Sequence, residues 1–326
     1  MKLSLIIPIY NGAEFVANLG ANILKLHQTV GDIEFVIVND GSTDQTSAAL
    51  HAFLAGHSQS GLNCRLFEQA NGGVSSARNL ALQHASGEYV MFMDHDDNIN
   101  AGKLAELLGK LSQSGADSLR FNCLAQYPAN DQVFGLEKFI VDFPFSSYVW
   151  SYVYKRDLIV EGNLRFVEGM KYLEDGLFVL AYLLKTQTTM VSNHAVYDYV
   201  DNPDSAMRAK RTEAQNRKFL DDIGLAVRGY SDMVGTHPSA AVDTRVKEIR
   251  DSFLFIYIVN MLKLNLPNEE LFGRLKACGY DFKMANYPSK FNDRLPVRVL
   301  CGIFRNKPLL GLFARSHAFN LVKGAA

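Results

Sequence analysis

Short, almost unbroken apolar runs alternate with longer stretches whose apolar residues return every three or four positions. Residues 3–9 (LSLIIPI), 33–38 (IEFVIV) and 88–93 (EYVMFM) are such runs, with shorter ones at 65–67 and 118–123. They are too short for helices and rich in strand formers, so each is predicted to be a buried strand. The stretches between them, about 13–28, 42–54, 74–85 and 101–114, read as helices. In the third, Val74, Ala77, Leu80, Ala81 and Ala85 form one small apolar face. Ser42 with Gln45 fits a capping box at the start of the second. Strand–helix alternation with continuous apolar strands predicts an α/β fold: a mostly parallel sheet covered by helices.

The rhythm changes near residue 126. Residues 126–150 are aromatic and loop-like, a helix is predicted over 174–184, and 190–200 (MVSNHAVYDYV) alternates like a half-exposed strand. Beyond residue 205 only helical patterns remain, at about 212–233, 240–264 and 268–277, so a boundary is expected near 205 with a helical region over 206–326. The segment 287–326 interleaves Lys290, Arg294, Arg298, Arg305, Lys307, Arg315 and Lys323 with Leu300, Phe304, Leu309 and Leu312, against Asp293 alone. Such a basic amphipathic tail can lie on an anionic membrane surface, or it can pack on the helical region with a solvated basic edge. Pro308 and Gly311 argue against one continuous helix.

At 326 residues with a net charge of −1, the chain has room for a full α/β core and lacks the basic excess of a general nucleic-acid binder. Cys64, Cys123, Cys278 and Cys301 are far apart without a C-x-x-C, the pattern of packing residues in a reduced, cytosolic protein. The N-terminus runs directly into a strand, and no apolar run reaches the roughly 18 residues of a membrane span.

Chemistry concentrates where strands end. The run 88–93 stops in Asp94-His95-Asp96-Asp97, and 33–38 stops in Asn39-Asp40-Gly41. In an open parallel sheet ligands sit beyond the carboxyl ends of the strands. Two carboxylates at i and i+2 share one side of an extended chain, and a hard divalent cation bridging to phosphate relieves their repulsion. Asp40 can take ribose or a base edge, or it can simply serve the turn. G-x-x-x-x-G-K-[ST] and G-x-G are both absent, which removes P-loop hydrolysis and the dinucleotide fingerprint. Glu174 and Asp175 open a predicted helix, where acids favour the positive end; a carboxylate there can also act as a base. Trp150 can be an acceptor platform or a core residue.

Four blocks, SLIIPIYNGAEFV, FVIVNDGSTDQT, NGGVSSARNLALQHASGEYVMFMDHDD and EGMKYLEDGLF, occur in an order and spacing that resembles the family-2 glycosyltransferases of the GT-A fold, of the bacterial surface-polysaccharide kind. They cover roughly residues 3–184. The resemblance implies a catalytic domain over 1–205, with nucleotide-sugar binding in 1–125 and acceptor binding in 126–205. It implies that Pro8, Tyr10, Asn11, Asp40, Asn71, Arg78 and Asp94 bind the nucleotide. Asp96, with Asp94, would hold Mn²⁺ or Mg²⁺, and Asp175 would be the catalytic base, with Glu174 orienting the acceptor or bracing a loop. Where relatives show an aromatic followed by Arg or His, this chain has Tyr199-Val200-Asp201-Asn202, which leaves Arg208 or Lys210 to close over the diphosphate.

The expected activity is inverting transfer of a sugar from a nucleotide donor, a UDP-sugar, to a lipid-linked surface glycan. The expected location is the cytoplasmic face of the membrane, with the tail as anchor. Two other classes are a non-catalytic sugar-nucleotide-binding scaffold and a nucleotidyltransferase. The second would need a Gly- and Lys-rich N-terminal loop that SLIIPIYNG does not supply.

Overall fold

The computed structural model describes residues 2–122, 131–200, 211–283 and 295–316. Two compact units divide it: Met1–Phe139 with Ser146–Ala209, and Ile140–Phe145 with Lys210–Ala326. The second unit thus also takes a short segment that the sequence reading assigned to the first.

The first unit is built on one sheet. Its strands are β1 (Leu3–Ile9), β2 (Ile33–Asp40), β3 (Cys64–Gln69) and β4 (Tyr89–Phe92), then β6 (Ser118–Arg120), β7 (Gln132–Gly135), β8 (Tyr152–Lys155) and β9 (Thr188–Val191). The order is β3-β2-β1-β4-β8-β6-β9-β7. The first four run parallel, β8 is antiparallel to both β4 and β6, β9 is parallel to β6, and β7 is antiparallel to β9. A separate antiparallel ribbon pairs β5 (Asn98–Ile99) with β10 (Tyr197–Asp198).

Side-chain alternation divides the sheet into two faces. Leu3, Leu5, Ile7 and Ile9 of β1, with Phe35 and Ile37 of β2 and Met91 of β4, belong to one core cluster. Leu19, Ile23 and Leu26 of α1 (Val16–Val30) and Leu104, Leu107 and Leu111 of α4 (Ala101–Ser114) complete it. Between these helices lie α2 (Thr46–Gly56) and α3 (Val74–His84). Phe92, at an even position of β4, joins instead an edge-on aromatic set with Tyr154, Phe166 and Phe178, ring centroids 5.3–5.7 Å away. After β7 the chain forms α5 (Leu136–Asp142), and after β8 it forms α6 (Arg156–Glu161) and α7 (Glu174–Leu183).

Three sequence expectations need correction. The capping box is not formed, because the Ser42 hydroxyl accepts from Asn11 N at 2.9 Å while Asp44 accepts from Thr46 N at the helix start. The stretch 126–150 is more than loop: β7, α5 and the 3₁₀ turn Val149–Ser151 lie in its described part, and β8 follows directly. The single strand expected over 190–200 is two strands in different sheets. Asn122, in the left-handed region at φ 54°, separates them by accepting from Val196 N and Tyr197 N.

The second unit is helical: α8 (Glu213–Met233), α9 (Ala240–Lys263), α10 (Asn268–Ala277), α11 (Leu295–Phe304) and α12 (Lys307–Arg315). Thr212 and Gln215 form a true capping box on α8. The tail is broken into two helices as expected, with Asn306 capping α12. Some of its apolar residues pack inward and others stay exposed: Leu300, Phe304 and Leu310 are buried, Phe304 lies 5.3 Å from Phe255, and Tyr280 donates to the Phe304 carbonyl, whereas Val299, Leu309 and Leu312 face outward. Cys123 and residues 287–294 and 317–326 of the expected tail lie outside the described residues.

At the N-terminal end of the parallel strands, buried Glu34 ties three segments together. It accepts from Ser86 N at 2.6 Å and Gly87 N at 3.1 Å and from the Ser4 hydroxyl, and it pairs with Arg65 at 3.0 Å and Lys2 at 3.1 Å. Gly87 is required here, since a Cβ would lie 2.7 Å from Ser4 N. Burial alone would raise the Glu34 pKa; the Ser4, Ser86 and Lys2 bonds outweigh it and bring the pKa from 4.5 to about 2. A depressed carboxylate contributes stability above its unfolded pKa and loses it as pH falls towards the folded value. Glu34→Gln is therefore expected to destabilise the chain by about 1–3 kcal/mol at pH 7. Urea unfolding should show that gap holding down to about pH 4.5 and shrinking towards pH 2.

Candidate active site

Because β2, β1 and β4 are adjacent and parallel, their carboxyl ends meet at one edge, which is where the expected chemistry lies. Pro8, Ile9, Tyr10, Asp40, Val74, Asp94, His95, Asp96, Asp97 and Tyr199 line a cavity of about 230 Å³ there. Four of these ten are aspartates, and His95 is the one other ionisable nitrogen or acid among them besides the two tyrosines.

Loop contacts beside the cavity tie the strand ends together. Asn11, left-handed at φ 48°, accepts from Thr43 N at 2.8 Å, and Gly12 N donates to Thr46 at 2.9 Å, joining the ends of β1 and β2. Asp40 is buried and turns its carboxylate on the Gly-rich loop: Oδ1 accepts from Gly72 N and Gln69 Nε2, and Oδ2 from Gly73 N, at 2.7–2.8 Å. Gly41, at φ 68°, lets this loop approach, since a Cβ there would meet Asn71 N at 2.5 Å. Asp40 thus spends its carboxylate on the Gly-rich loop while it also lines the cavity. Asn11 and Asn71 are exposed beside the cavity and do not line it.

The acidic loop is held from behind by Tyr197, on β10. Its hydroxyl donates to Asp97 Oδ2 at 2.6 Å and accepts from Asp94 N at 3.0 Å, while Asp97 Oδ1 accepts from Val200 N at 2.8 Å. Burial raises the Asp97 pKa to about 6 against these two bonds. Asp97 is therefore a bracing group, whereas Asp94 and Asp96 are half-buried on the cavity wall. Tyr197 stacks on Trp150 with centroids 4.5 Å apart, and Tyr148 and Tyr199 stack on the same indole at 5.2 and 6.4 Å. His95 packs edge-on to Phe15 and close over Gly12.

Arg78 draws the remaining candidates together. It is buried on α3, where Nη2 donates to Asp94 Oδ1 at 3.1 Å and Nη1 donates to Asp175 Oδ1 at 2.6 Å and Glu174 Oε1 at 3.2 Å. Burial works against the Arg78 charge, but Asp175, Asp94 and Glu174 outweigh it and raise its pKa. Burial also pushes up both acids of the pair; for Glu174 the Asp175 charge adds to this, and Arg78 opposes it in each. The preceding Leu173 sits at φ 67°, a left-handed conformation unusual for a non-glycine residue, as the chain turns into α7.

Asn79 was not singled out from sequence. Its side chain accepts from Phe166 N at 2.8 Å and donates to the Phe166 carbonyl at 3.0 Å and to Glu168 at 3.2 Å, clamping the segment that leads to Glu174. Its place beside Arg78 in the ARN run was the available signal. Arg208 and Lys210 lie outside the described residues. A second acidic group, Glu106, Asp131 and His194, is already bridged by Lys110, which donates to both carboxylates at 2.6 Å.

Residues 4–162 match the model of Glycosyl transferase family 2. That stretch, just under half of the chain, is a family-2 glycosyltransferase domain. The glycosyltransferase EpsJ of Bacillus subtilis, named as uncharacterized, is 30% identical over 219 residues, 62% of each chain. TarS of Staphylococcus aureus, a poly(ribitol-phosphate) β-N-acetylglucosaminyltransferase, is 28% identical over 60% of this chain and 35% of its own length. The match thus spans under two thirds of EpsJ and about a third of TarS. In structure, TarS residues 1–349 in complex with UDP-GlcNAc give a TM-score of 0.67 at 22% identity, over 98% of this chain and 89% of that one. The mannosyltransferase PcManGT of Pyrobaculum calidifontis, in complex with GDP-Man and Mn²⁺, gives 0.55 at 16%, over 96% and 87%. These likenesses speak for the fold, which is GT-A, a mostly parallel helix-covered sheet followed by a helical region.

The Asn79 clamp yields a direct test. Asn79→Ala leaves the Phe166 N–H and carbonyl without their partner and is expected to lower stability by about 2 kcal/mol. Thermal unfolding should show a midpoint several degrees lower, and limited proteolysis should cut faster within 166–173.

Proposed function

We propose that this protein is an inverting, metal-dependent glycosyltransferase that moves a sugar from a UDP-sugar onto a lipid-linked surface glycan. The observation that carries this reading is the junction at Arg78, where Asp94 of the cavity and the Glu174–Asp175 pair meet on one guanidinium. A donor seated in the cavity would have its anomeric carbon near this junction. The acceptor hydroxyl would attack in line; as the new glycosidic bond forms, the bond to the diphosphate breaks and the hydroxyl proton passes to Asp175. A positioned carboxylate base contributes about 10²–10⁴-fold. Glu174 would orient the acceptor or brace the loop, and Trp150, whose indole already stacks with Tyr197 and Tyr148 and packs against the core, would hold the aromatic wall of the acceptor side.

The donor set fits a hard divalent cation: Asp94 and Asp96 present carboxylates on a cavity wall lined by neither Lys nor Arg among the described residues. Mn²⁺ or Mg²⁺ bound there would offset the charge of the departing diphosphate. UDP as the nucleotide is supported by the likeness to TarS bound to UDP-GlcNAc, and a metal by the Mn²⁺ complex of PcManGT. Pro8, Tyr10 and Asp40 would contact the base and ribose, with Asn11 and Asn71 at the rim. The phosphate-closing role is assigned to Arg208 or Lys210. The catalytic domain would end near 205, with nucleotide binding in 1–125.

Two measurements test this reading. Asp175→Asn is expected to bind UDP with Mn²⁺ as wild type does and to lose transfer by about 10²–10⁴-fold; near-normal turnover would remove Asp175 as the base. The described part of the tail bears Arg298, Arg305, Lys307 and Arg315 beside exposed Val299, Leu309 and Leu312. Among the described residues no helix is long and apolar enough to cross a membrane. We assign this face to an anionic membrane surface at the cytoplasmic side. Because Phe304 and Leu310 are core residues, point changes test it better than deletion. The chain should co-sediment with vesicles containing phosphatidylglycerol but not with phosphatidylcholine alone, and Leu309→Gln with Leu312→Gln should abolish this. Equal sedimentation of that variant would refute the assignment.

A further inference from the structure

Arg78 is the residue whose surroundings differ most from its expected part. As a nucleotide ligand it would present its guanidinium to the cavity. It is instead 3% exposed, it is not among the cavity-lining residues, and both of its Nη atoms are taken by carboxylates. The fork is also fixed from the side. Its Cζ lies 5.3 Å from the centroid of the Phe166 ring, and the backbone of Phe166 is clamped by Asn79, the next residue on α3. The other Asp175 oxygen accepts from Val149 N at 3.4 Å, so this carboxylate is held from α3 on one side and from the aromatic segment on the other.

We infer that Arg78 is a positioning residue that sets Asp175 relative to Asp94, and does not bind the nucleotide. The inference rests on the proposed reading of Asp94 as donor-side and Asp175 as base. A planar fork spans two carboxylates at fixed separation, one on each nitrogen; an ammonium is a point charge and cannot. Asp94 follows β4 and Asp175 lies in the first turn of α7, with the eighty residues 95–174 between them, and the guanidinium is their shared partner. In a one-step displacement the base must stand in line behind the acceptor oxygen, and misplacement by about 1 Å costs on the order of 10²-fold. Groups that act as one unit also give non-additive losses when removed together.

The experiment uses the full chain carrying Arg78→Lys, Asp175→Asn and both, with thermal midpoints confirming folding. UDP binding in Mn²⁺ is measured by calorimetry, and transfer is measured with a UDP-sugar that the wild type turns over. The expected result for Arg78→Lys is a UDP dissociation constant and donor KM within about threefold of wild type, with kcat reduced on the order of 10²-fold. The double variant should be no slower than Asp175→Asn alone. A UDP dissociation constant raised about tenfold with kcat intact, or losses that multiply in the double variant, would overturn the inference. Should Arg78→Lys not fold, Phe166→Leu takes its place, since it removes the ring that fixes the fork from the side while leaving Arg78 and all three carboxylates. Altered kcat at constant UDP affinity, absent when Asp175 is already Asn, supports the inference; independent losses overturn it. A wild-type chain that binds UDP but turns over no UDP-sugar refutes the proposed function. In that case an unchanged UDP affinity in Arg78→Lys still supports a role other than nucleotide binding, and a weakened one overturns it.

Discussion

One buried guanidinium surrounded by three carboxylates is the constraint on which the rest of the site depends. An ion buried alone is costly, and a pair broken on one side leaves a charge stranded. Arg78 can therefore be buried only if Asp94, Glu174 and Asp175 arrive together, and those acids can crowd together only if Arg78 is there. The end of β4, the start of α7 and the middle of α3 are tied by this mutual need. Burial raises both acids above their ordinary range, helped by the Asp175 charge at Glu174 and by the Asp94 charge at Asp175, while Arg78 pulls the other way.

Around this junction the fold places supports whose polar groups are matched one to one. Asn79 fixes the segment beneath Arg78, Tyr197 with Asp97 fixes the backbone of Asp94, and Asp40 fixes the Gly-rich loop. Each support uses a buried polar side chain with satisfied partners, which makes it directional in a way that apolar packing is not. The half-buried Asp94 and Asp96 then stand on a rigid frame while keeping a face on the cavity.

Much of the frame was legible along the chain. The continuous apolar runs at β1, β2 and β4 and the periodic faces of α1, α3 and α4 follow from burial on both faces of a parallel sheet. Acids placed just after those runs had to emerge at one edge, because parallel strands share their carboxyl end. The break of the tail was likewise written locally in Pro308, which sits in the first turn of α12, whereas Gly311 lies inside that helix and does not break it. Where the local signal was short, as in β8 and β7 with four residues each, the pattern between 126 and 155 could not be separated from aromatic loop. These strands exist because neighbouring strands supply hydrogen bonds, not because of their own periodicity.

By itself, then, the sequence determined the parallel half of the first unit, the edge at which ligands would sit and the acids that line it, since these follow from burial period and strand direction. It also determined, through the four blocks, the family. Tertiary structure alone decided the partners: that Arg78 faces carboxylates and stands back from the cavity wall, that Asp97 braces while Asp94 and Asp96 face the cavity, and that Ser42 serves Asn11 and not a helix cap. It decided as well that the tail's Leu300, Phe304 and Leu310 belong to a core. The physical reason is common to all of these. Periodicity reports which side of an element is buried, whereas a hydrogen bond or ion pair depends on which distant group arrives within about 3 Å, and nothing local in the chain carries that distance.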